Sequence, residues 1–338
     1  DGVDLVYVSF SHNNSWTFKI INSNTYDYDN EWQYILKSLA TKDIKSIKKI
    51  DKNYTKLLSK YILDFIKEFS VTTIDFVSSH GHTALHDPSN ALTYQIGNLH
   101  ELSNYLGLKV ICDFRAQDVK LGGQGAPLVP VGESYLFPEY NTLINLGGFA
   151  NITKKINDNL IAYDVCPLNI VFNQLSSLIE LKYDDKGKIA LSGKINIELF
   201  NCLQSIEYYK LDPPKSLGVE WVNDNISPII NKFSEVSVED LLHTFSNHFA
   251  RQIVDNIKST DKVLITGGGA YNDYLIQKIR DLTKSIIIIP DSEIIEFKES
   301  LIFAFLGVLR NLNINNCYSS VTGAIKDHSS GNIIISEI

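Results

Sequence analysis

Leu264-Ile-Thr-Gly-Gly-Gly-Ala-Tyr-Asn272 reads as a strand that runs into three glycines and then into a helix. Consecutive glycines cost roughly 0.5 to 1 kcal/mol each relative to alanine inside a regular element, so a run of them implies that something packs against bare backbone. A nucleotide is the natural candidate, and a tight strand-to-helix corner is the plain structural one. The stretch is not G-x-G-x-x-G, since position 272 is asparagine, and no P-loop pattern with Gly-Lys-Ser/Thr occurs. Around it the same alternation repeats. Residues 238–259 form an amphipathic helical pattern, 262–266 a strand, a helix extends to about 282, and 285–290 is an apolar strand. Upstream, 141–146 reads as a strand turning through Gly147-Gly148, 160–164 as a short strand and 170–181 as a helix. Earlier still, Val3-Asp-Leu-Val-Tyr-Val-Ser-Phe10 alternates as a strand, and 32–69 has helical spacing with lysine-rich faces. Residues 71–79 and 109–114 read as strands and 99–106 as a helix. Strands alternating with helices imply an α/β fold with largely covered sheets.

The 338 residues suggest two domains, at roughly 100 to 200 residues per domain. The Gly/Pro-rich stretch 122–130 places the boundary between 130 and 140. With 44% hydrophobic and 21% charged residues a sizeable core can form. No run approaches the roughly 20 apolar residues that span a bilayer, and the amino terminus has no basic segment leading into an apolar one. The expectation is a soluble, cytoplasmic protein with no membrane partner. A formal charge of −8 with scattered Lys and Arg argues against nucleic acid. The four cysteines, Cys112, Cys166, Cys202 and Cys317, form no C-x-x-C pair, so neither a zinc ribbon nor a disulfide scaffold is indicated. Methionine is absent, although about 2% usage would supply about seven. The sequence also opens on Asp1-Gly-Val-Asp4. The expectation is that methionines and residues ahead of Asp1 are missing from the sequence as written, which would make some apparent neighbours non-adjacent.

Several stretches carry chemistry. In Leu143-Ile-Asn-Leu-Gly-Gly-Phe-Ala-Asn151 paired glycines can cradle phosphate oxygens through exposed N–H groups, or simply turn a hairpin. In Tyr163-Asp164-Val-Cys-Pro-Leu-Asn169 an aspartate ends a strand, where a carboxylate can reach a nucleophile in phosphoryl transfer. Asp164 is the general-base candidate, against a turn or N-cap role. Arg115, one of only four arginines, follows Cys112-Asp113-Phe114 and can grip a carboxylate or phosphate through two parallel hydrogen bonds, with Asp113 as its pairing alternative. His80, His82 and His86 invite a metal reading. Binding a polar ligand suits them better, because His80 and His82 would share one strand face with His86 beyond a turn. No metal-ligating set is assigned. Gly132-Glu-Ser-Tyr-Leu136 fails as a serine-hydrolase elbow.

Taken in order, Asp1-Gly-Val-Asp4, Ser79-His-Gly-His-Thr83, Thr93-Tyr-Gln-Ile-Gly97, Asp113-Phe-Arg115, Gly122-Gly-Gln-Gly-Ala-Pro-Leu-Val-Pro130, Asn145-Leu-Gly-Gly-Phe-Ala-Asn151 and Gly267-Gly-Gly-Ala-Tyr-Asn272 closely resemble anhydro-N-acetylmuramic acid kinases. Pro214-Lys-Ser-Leu-Gly218 and Ser320-Val-Thr-Gly-Ala324 extend the resemblance over essentially the whole chain. It implies two actin-like (ribonuclease-H-like) α/β domains with ATP and substrate in the cleft between them. The expected division is residues 1–135 with 315–338, carrying the sugar pocket, and 136–314, carrying the nucleotide. The resemblance also implies a phosphotransferase acting on an alcohol group with ATP and Mg2+. Water opens the 1,6-anhydro ring while O6 is phosphorylated, giving N-acetylmuramic acid 6-phosphate and ADP in bacterial peptidoglycan recycling.

By the same resemblance Asp164 is catalytic, and Arg115, Glu299, His82, Thr83 and Gln95 contact the amino sugar, with Arg115 reading the lactyl carboxylate. Asp1, Gly2, Gly147, Gly148, Asn151, Gly267, Gly268, Gly269 and Asn272 hold the nucleotide. A homodimer is compatible with it. Two departures stand out. The usual Asp-Thr-Gly-Pro-Gly-Asn is Asp164-Val-Cys-Pro-Leu-Asn169 here, and only the second half of the first phosphate loop, from Asp1, is present. Alternatives are another sugar kinase or acetate-kinase-like phosphotransferase of the same fold, a catalytically inactive sugar-binding regulator, or an ATP-gated chaperone or filament protein.

Overall fold

The alternating opening segment forms β1 (Gly2–Asn13), which pairs antiparallel with β2 (Ser15–Asp27) through a single-residue turn at Asn14, where φ is +64°. The computed structural model describes residues 2–156 and 159–337. Two units emerge, Asp1–Leu136 with Phe297–Ile338, and Phe137–Glu296.

In the first unit, α1 (Asn30–Lys37) and α2 (Ile44–Glu68) follow the hairpin. Each starts on an aspartate, Asp29 and Asp43, whose side chain accepts from a backbone N–H of the first turn. The apolar face of α2 buries Ile47, Tyr54, Leu58, Ile62 and Phe65, while its lysines stay in water. β3 (Val77–Ser79), β4 (His82–Asp87), β5 (Leu92–Ile96), α3 (Glu101–Leu106), β6 (Val110–Cys112), α4 (Ala116–Lys120) and α5 (Val129–Leu136) complete the segment. The strand expected over 71–79 is reduced to its last three residues. Only Val77–Ser79 finds a ladder partner, in β6, while Val71 N–H closes the end of α2 on Ile66 O.

The second unit is built on a five-stranded sheet. β7 (Thr142–Leu146), β8 (Phe149–Ile156) and β9 (Asn159–Pro167) form an antiparallel meander. β8 is the second strand of the hairpin that the paired glycines offered as the alternative to a phosphate cradle. Helices α6 (Asn169–Ser177), α7 (Lys188–Ser192), α8 (Ile197–Gln204), α9 (Val219–Asn225), α10 (Ser227–Lys232) and α11 (Val238–Asp255) follow. β10 (Lys262–Thr266), α12 (Asp273–Leu282) and β11 (Ile286–Ile288) then give the sheet order β11-β10-β7-β8-β9, with β10 parallel to both neighbours. The core gathers Leu146, Ile152, Phe172, Leu175, Phe245, Phe249, Val263, Ile265 and Leu275. Among the described residues no helix is long and apolar enough to cross a membrane.

The chain rejoins the first unit at Phe297, within α13 (Ser292–Asn311), earlier than residue 315. Aromatic packing explains the difference. Phe303 lies 4.5 Å from the His80 ring and 5.7 Å from Phe114, and Phe305 lies 5.3 Å from Phe10. α14 (Ser319–Thr322) and β12 (Asn332–Ile334) follow, and β12 extends a three-stranded sheet of order β12-β6-β3.

A buried carboxylate ties α2 to β5. Asp51, 1% exposed, accepts from Tyr94 Oη at 2.7 Å, Gly97 N–H at 2.7 Å and Thr55 Oγ1 at 3.2 Å. Asp51→Ala should therefore cost about 2–4 kcal/mol in urea unfolding by stranding these donors. Asp64→Ala, which breaks only the exposed pair with Lys60, should cost under about 1 kcal/mol.

Candidate active site

The expected residues fall in both units, and each set has its own surroundings. In the second unit Gly147 and Gly148 form the turn between β7 and β8, so the hairpin reading is realised. The turn's carbonyls also accept the first N–H groups of the next helix: Leu168 N–H reaches Gly148 O at 2.8 Å and Asn169 N–H reaches Gly147 O at 3.3 Å. The glycine triplet divides by role. A Cβ on Gly267 would lie 2.4 Å from Asn145 Oδ1, and one on Gly269 2.7 Å from Leu146 Cβ and 2.9 Å from Leu146 O. The partner that needs bare backbone at these two positions is thus the end of β7, and Gly267 also sits at φ +80°. A Cβ on Gly268 or Gly148 would meet nothing within 4 Å. Of the glycines expected at the nucleotide these two are open, and a phosphate can approach their backbone. Asn272 caps α12 by accepting from Leu275 N–H at 2.9 Å, so its side-chain oxygen is already engaged.

Asp164 lies inside β9, directly across from Asn151 of β8 at a register shift. It is not the N-cap of α6, a position held by Leu168. The segment 214–218 holds it from outside the sheet. Leu217 N–H donates to Asp164 Oδ2 at 2.8 Å, Asp164 N–H donates to Lys215 O, and Tyr208 Oη donates to Asp164 O. Burial raises the Asp164 pKa from the usual carboxylate value, and the Leu217 N–H pulls the other way. The Lys215 ammonium sits over the Tyr208 ring at 4.9 Å.

In the first unit Arg115 does not pair with Asp113, whose carboxylate accepts from Asn332 Nδ2 at 2.9 Å. Arg115 Nε donates to His80 Nε2 at 2.8 Å and Nη1 to Gly125 O at 2.6 Å, leaving Nη2 as its free end among the described contacts. Burial lowers the Arg115 pKa, with Glu299 the leading opposing charge. His80 is held neutral, its pKa pushed down to about 3 by burial and then by Arg115. Its Nδ1 faces Gly81 O at 3.0 Å and so carries the proton. With Nε2 accepting from Arg115, His80 is not free to ligate a metal. Gly81, at φ +73°, separates it from β4, which contains both His82 and His86; the expected shared face for His80 and His82 and the turn before His86 are both absent.

His80, His82, Glu299, Tyr54 and Phe303 line a cavity of about 860 Å³. Thr83 and Gln95 are cross-strand partners in the β4–β5 hairpin, Gln95 Nε2 donates to Thr93 Oγ1 at 2.8 Å, and its buried Oε1 has no partner. Gly2 packs on β2, where a Cβ would lie 2.4 Å from Tyr26 O. Asp1 lies outside the described residues.

A family model described as anhydro-N-acetylmuramic acid kinase matches residues 1–336. The chain belongs to the anhydro-N-acetylmuramic acid kinase family. Its members are ATP-using kinases. An anhydro-N-acetylmuramic acid kinase of Clostridioides difficile (strain 630) is 36% identical over 78% of this chain and 76% of its own length. One of Bacillus cereus (strain ATCC 10987 / NRS 248) is 32% identical over 91% and 87%. Among solved structures, an activator of 2-hydroxyisocaproyl-CoA dehydratase from Clostridium difficile with bound ADPNP overlaps 55% of this chain and 67% of its own, at a TM-score of 0.36 and 20% identity.

Against the anhydro-N-acetylmuramic acid kinase motif, the departures at 165, 166 and 168 are all core residues: Val165 is 2% exposed, and Cys166 and Leu168 are fully buried. The added side chains go into packing beside Leu146 and Val171 rather than towards solvent. Sequence reasoning missed Asp118, Tyr208 and Leu217. Asp118 had one available signal, the glycine-rich run that follows it, since a Cβ on Gly123 would lie 2.2 Å from its carboxylate.

The two kinds of glycine separate in experiment. Gly269→Ala should destabilise the fold by about 1–3 kcal/mol through overpacking. Gly268→Ala should leave thermal stability within about 0.5 kcal/mol while raising the KM for ATP; equal thermal losses in the two variants would contradict the division.

Proposed function

We propose that this chain is an ATP-dependent anhydro-N-acetylmuramic acid kinase that opens the 1,6-anhydro ring with water and phosphorylates the freed O6. The observation that carries the reading is the Asp164 carboxylate, anchored at one oxygen by Leu217 N–H and raised in pKa by burial, which are the properties of a general base. Asp164 takes a proton from water as the water oxygen bonds to the anomeric carbon. The bond from that carbon to O6 breaks, and its electron pair goes to O6. O6 attacks the γ-phosphorus, the bond to the bridging oxygen breaks, and ADP leaves with N-acetylmuramic acid 6-phosphate as the other product.

The open backbone at Gly148 and Gly268 fits the phosphate chain. Mg2+ is expected to arrive on ATP and neutralise phosphate charge, because no all-oxygen cage of three carboxylates gathers among the described residues. On the sugar side, Arg115 is desolvated and retains Nη2, so it presents an end-on hydrogen bond to the lactyl carboxylate rather than a fork through Nε. The reaction belongs to peptidoglycan recycling in the cytoplasm, where the four free cysteines stay reduced.

A coupled ADP-release assay tests this. Turnover with anhydro-N-acetylmuramic acid and not with N-acetylglucosamine is expected, and robust turnover with neither would defeat the reading. Asp164→Asn should lower kcat by about 10²–10⁴-fold with nucleotide affinity retained. Because the base acts ionised, kcat should fall as pH drops through the Asp164 pKa, starting at higher pH than for an exposed aspartate. Arg115→Lys should raise the KM for the sugar much more than that for ATP.

A further inference from the structure

Between α4 and the Cys317–His328 bridge, three side chains that no part of the kinase reaction uses converge in a buried cluster. Asp118, Cys317 and His328 each offer one ligand atom, and these atoms lie within 4.8 Å of one another. The residues are 0%, 1% and 5% exposed. Their meeting is set by backbone register. Cys317 and His328 form an isolated antiparallel bridge, exchanging N–H···O bonds of 3.1 and 3.0 Å, so their side chains stand on the same face.

The imidazole orientation carries the argument. His328 Nδ1 lies 3.1 Å from Lys326 O, and a carbonyl can only accept, so Nδ1 holds the proton. Nε2 is then a bare lone pair, buried and without a hydrogen-bond partner. It faces Asp118 Oδ1, another acceptor, at 3.5 Å. Two lone pairs aimed at each other in a dry interior repel unless something positive lies between them. A proton there would draw an ion pair to roughly 2.7–2.9 Å. Ligands of a tetrahedral zinc ion, at roughly 2.0–2.1 Å from the metal, stand about 3.3 Å apart, close to the observed spacing. A ring N–H donated to a backbone carbonyl is also how metal-bound histidines are usually oriented.

We propose that Asp118, Cys317 and His328 form a zinc-binding site, separate from the nucleotide-borne Mg2+. The mixed N, S, O set suits a borderline-soft ion and not Mg2+, and three protein ligands leave a fourth position for water. Cys317 is a free buried thiol, and a thiol ligates zinc as the thiolate, so binding displaces its proton. The ion would brace the sugar side of the molecule. Asp118 Oδ2 holds Gly125 N–H at 2.7 Å, Asp118 Oδ1 accepts from Thr322 Oγ1 at 2.7 Å, and Gly125 O receives Arg115 Nη1.

The test uses the full chain, stripped with chelator and titrated with Co2+ in excess Mg2+. One Co2+ per chain is expected, with the visible bands of four-coordinate cobalt and a thiolate-to-cobalt charge-transfer band. Cys317→Ser should abolish the charge-transfer band, His328→Gln should weaken affinity by more than about 10-fold, and Cys202→Ser should change neither. A wild-type spectrum of six-coordinate cobalt without the thiolate band overturns the proposal, as does a band that survives Cys317→Ser. Zinc-edge X-ray absorption of the wild type decides without variants: one sulfur among nitrogen and oxygen neighbours supports the site, and an all-oxygen shell or more than one sulfur refutes it.

Discussion

A carboxylate removed from water is tolerated only where donors replace its hydration, and three aspartates organise this chain around that requirement. Asp51 gathers Tyr94, Gly97 and Thr55, and so fixes the β5 end against α2. Asp118 gathers Gly125 and Thr322 from segments almost 200 residues apart in sequence. Asp164 takes only Leu217 N–H. Asp51 is saturated by its donors, Asp118 keeps one oxygen facing His328 Nε2, and Asp164 keeps acceptor capacity and stays half-buried, which suits a group that must take up a proton.

The same contrast separates the glycines. Gly267 and Gly269 are bare because β7 lies against them, and Gly148 and Gly268 are bare with open space where a side chain would go. Packing accounts for the first pair. The second pair marks where a ligand can approach backbone N–H groups. Arg115 shows a related compromise in the first unit. Two of its nitrogens are spent on His80 and Gly125 O, so the guanidinium is held in place and one end keeps its donors.

Much of the architecture was legible along the chain. The alternation in β1, the α2 and α11 periodicities and the strand entering the glycine triplet all appear within a residue or a few of where they were expected. The α/β class follows from local period, which needs no tertiary information. β8 was legible only through the hairpin alternative at its glycine pair, because its own pattern is irregular; it is held as a strand between β7 and β9. The 71–79 stretch failed in the opposite sense, having strand-like residues and mostly no partner.

What the sequence determined by itself was the element types, the motif order that carries the family, and Asp164 and Arg115 as the chemically informative residues. Only the tertiary structure decided what those residues do locally: that Arg115 meets His80 and not Asp113, that the 165–168 departures are core, and that Asp118, Cys317 and His328 converge. The reason is separation. Local periodicity is set by backbone geometry over a few residues, whereas these contacts join positions tens to hundreds of residues apart, chosen by which buried donor or lone pair is left to satisfy.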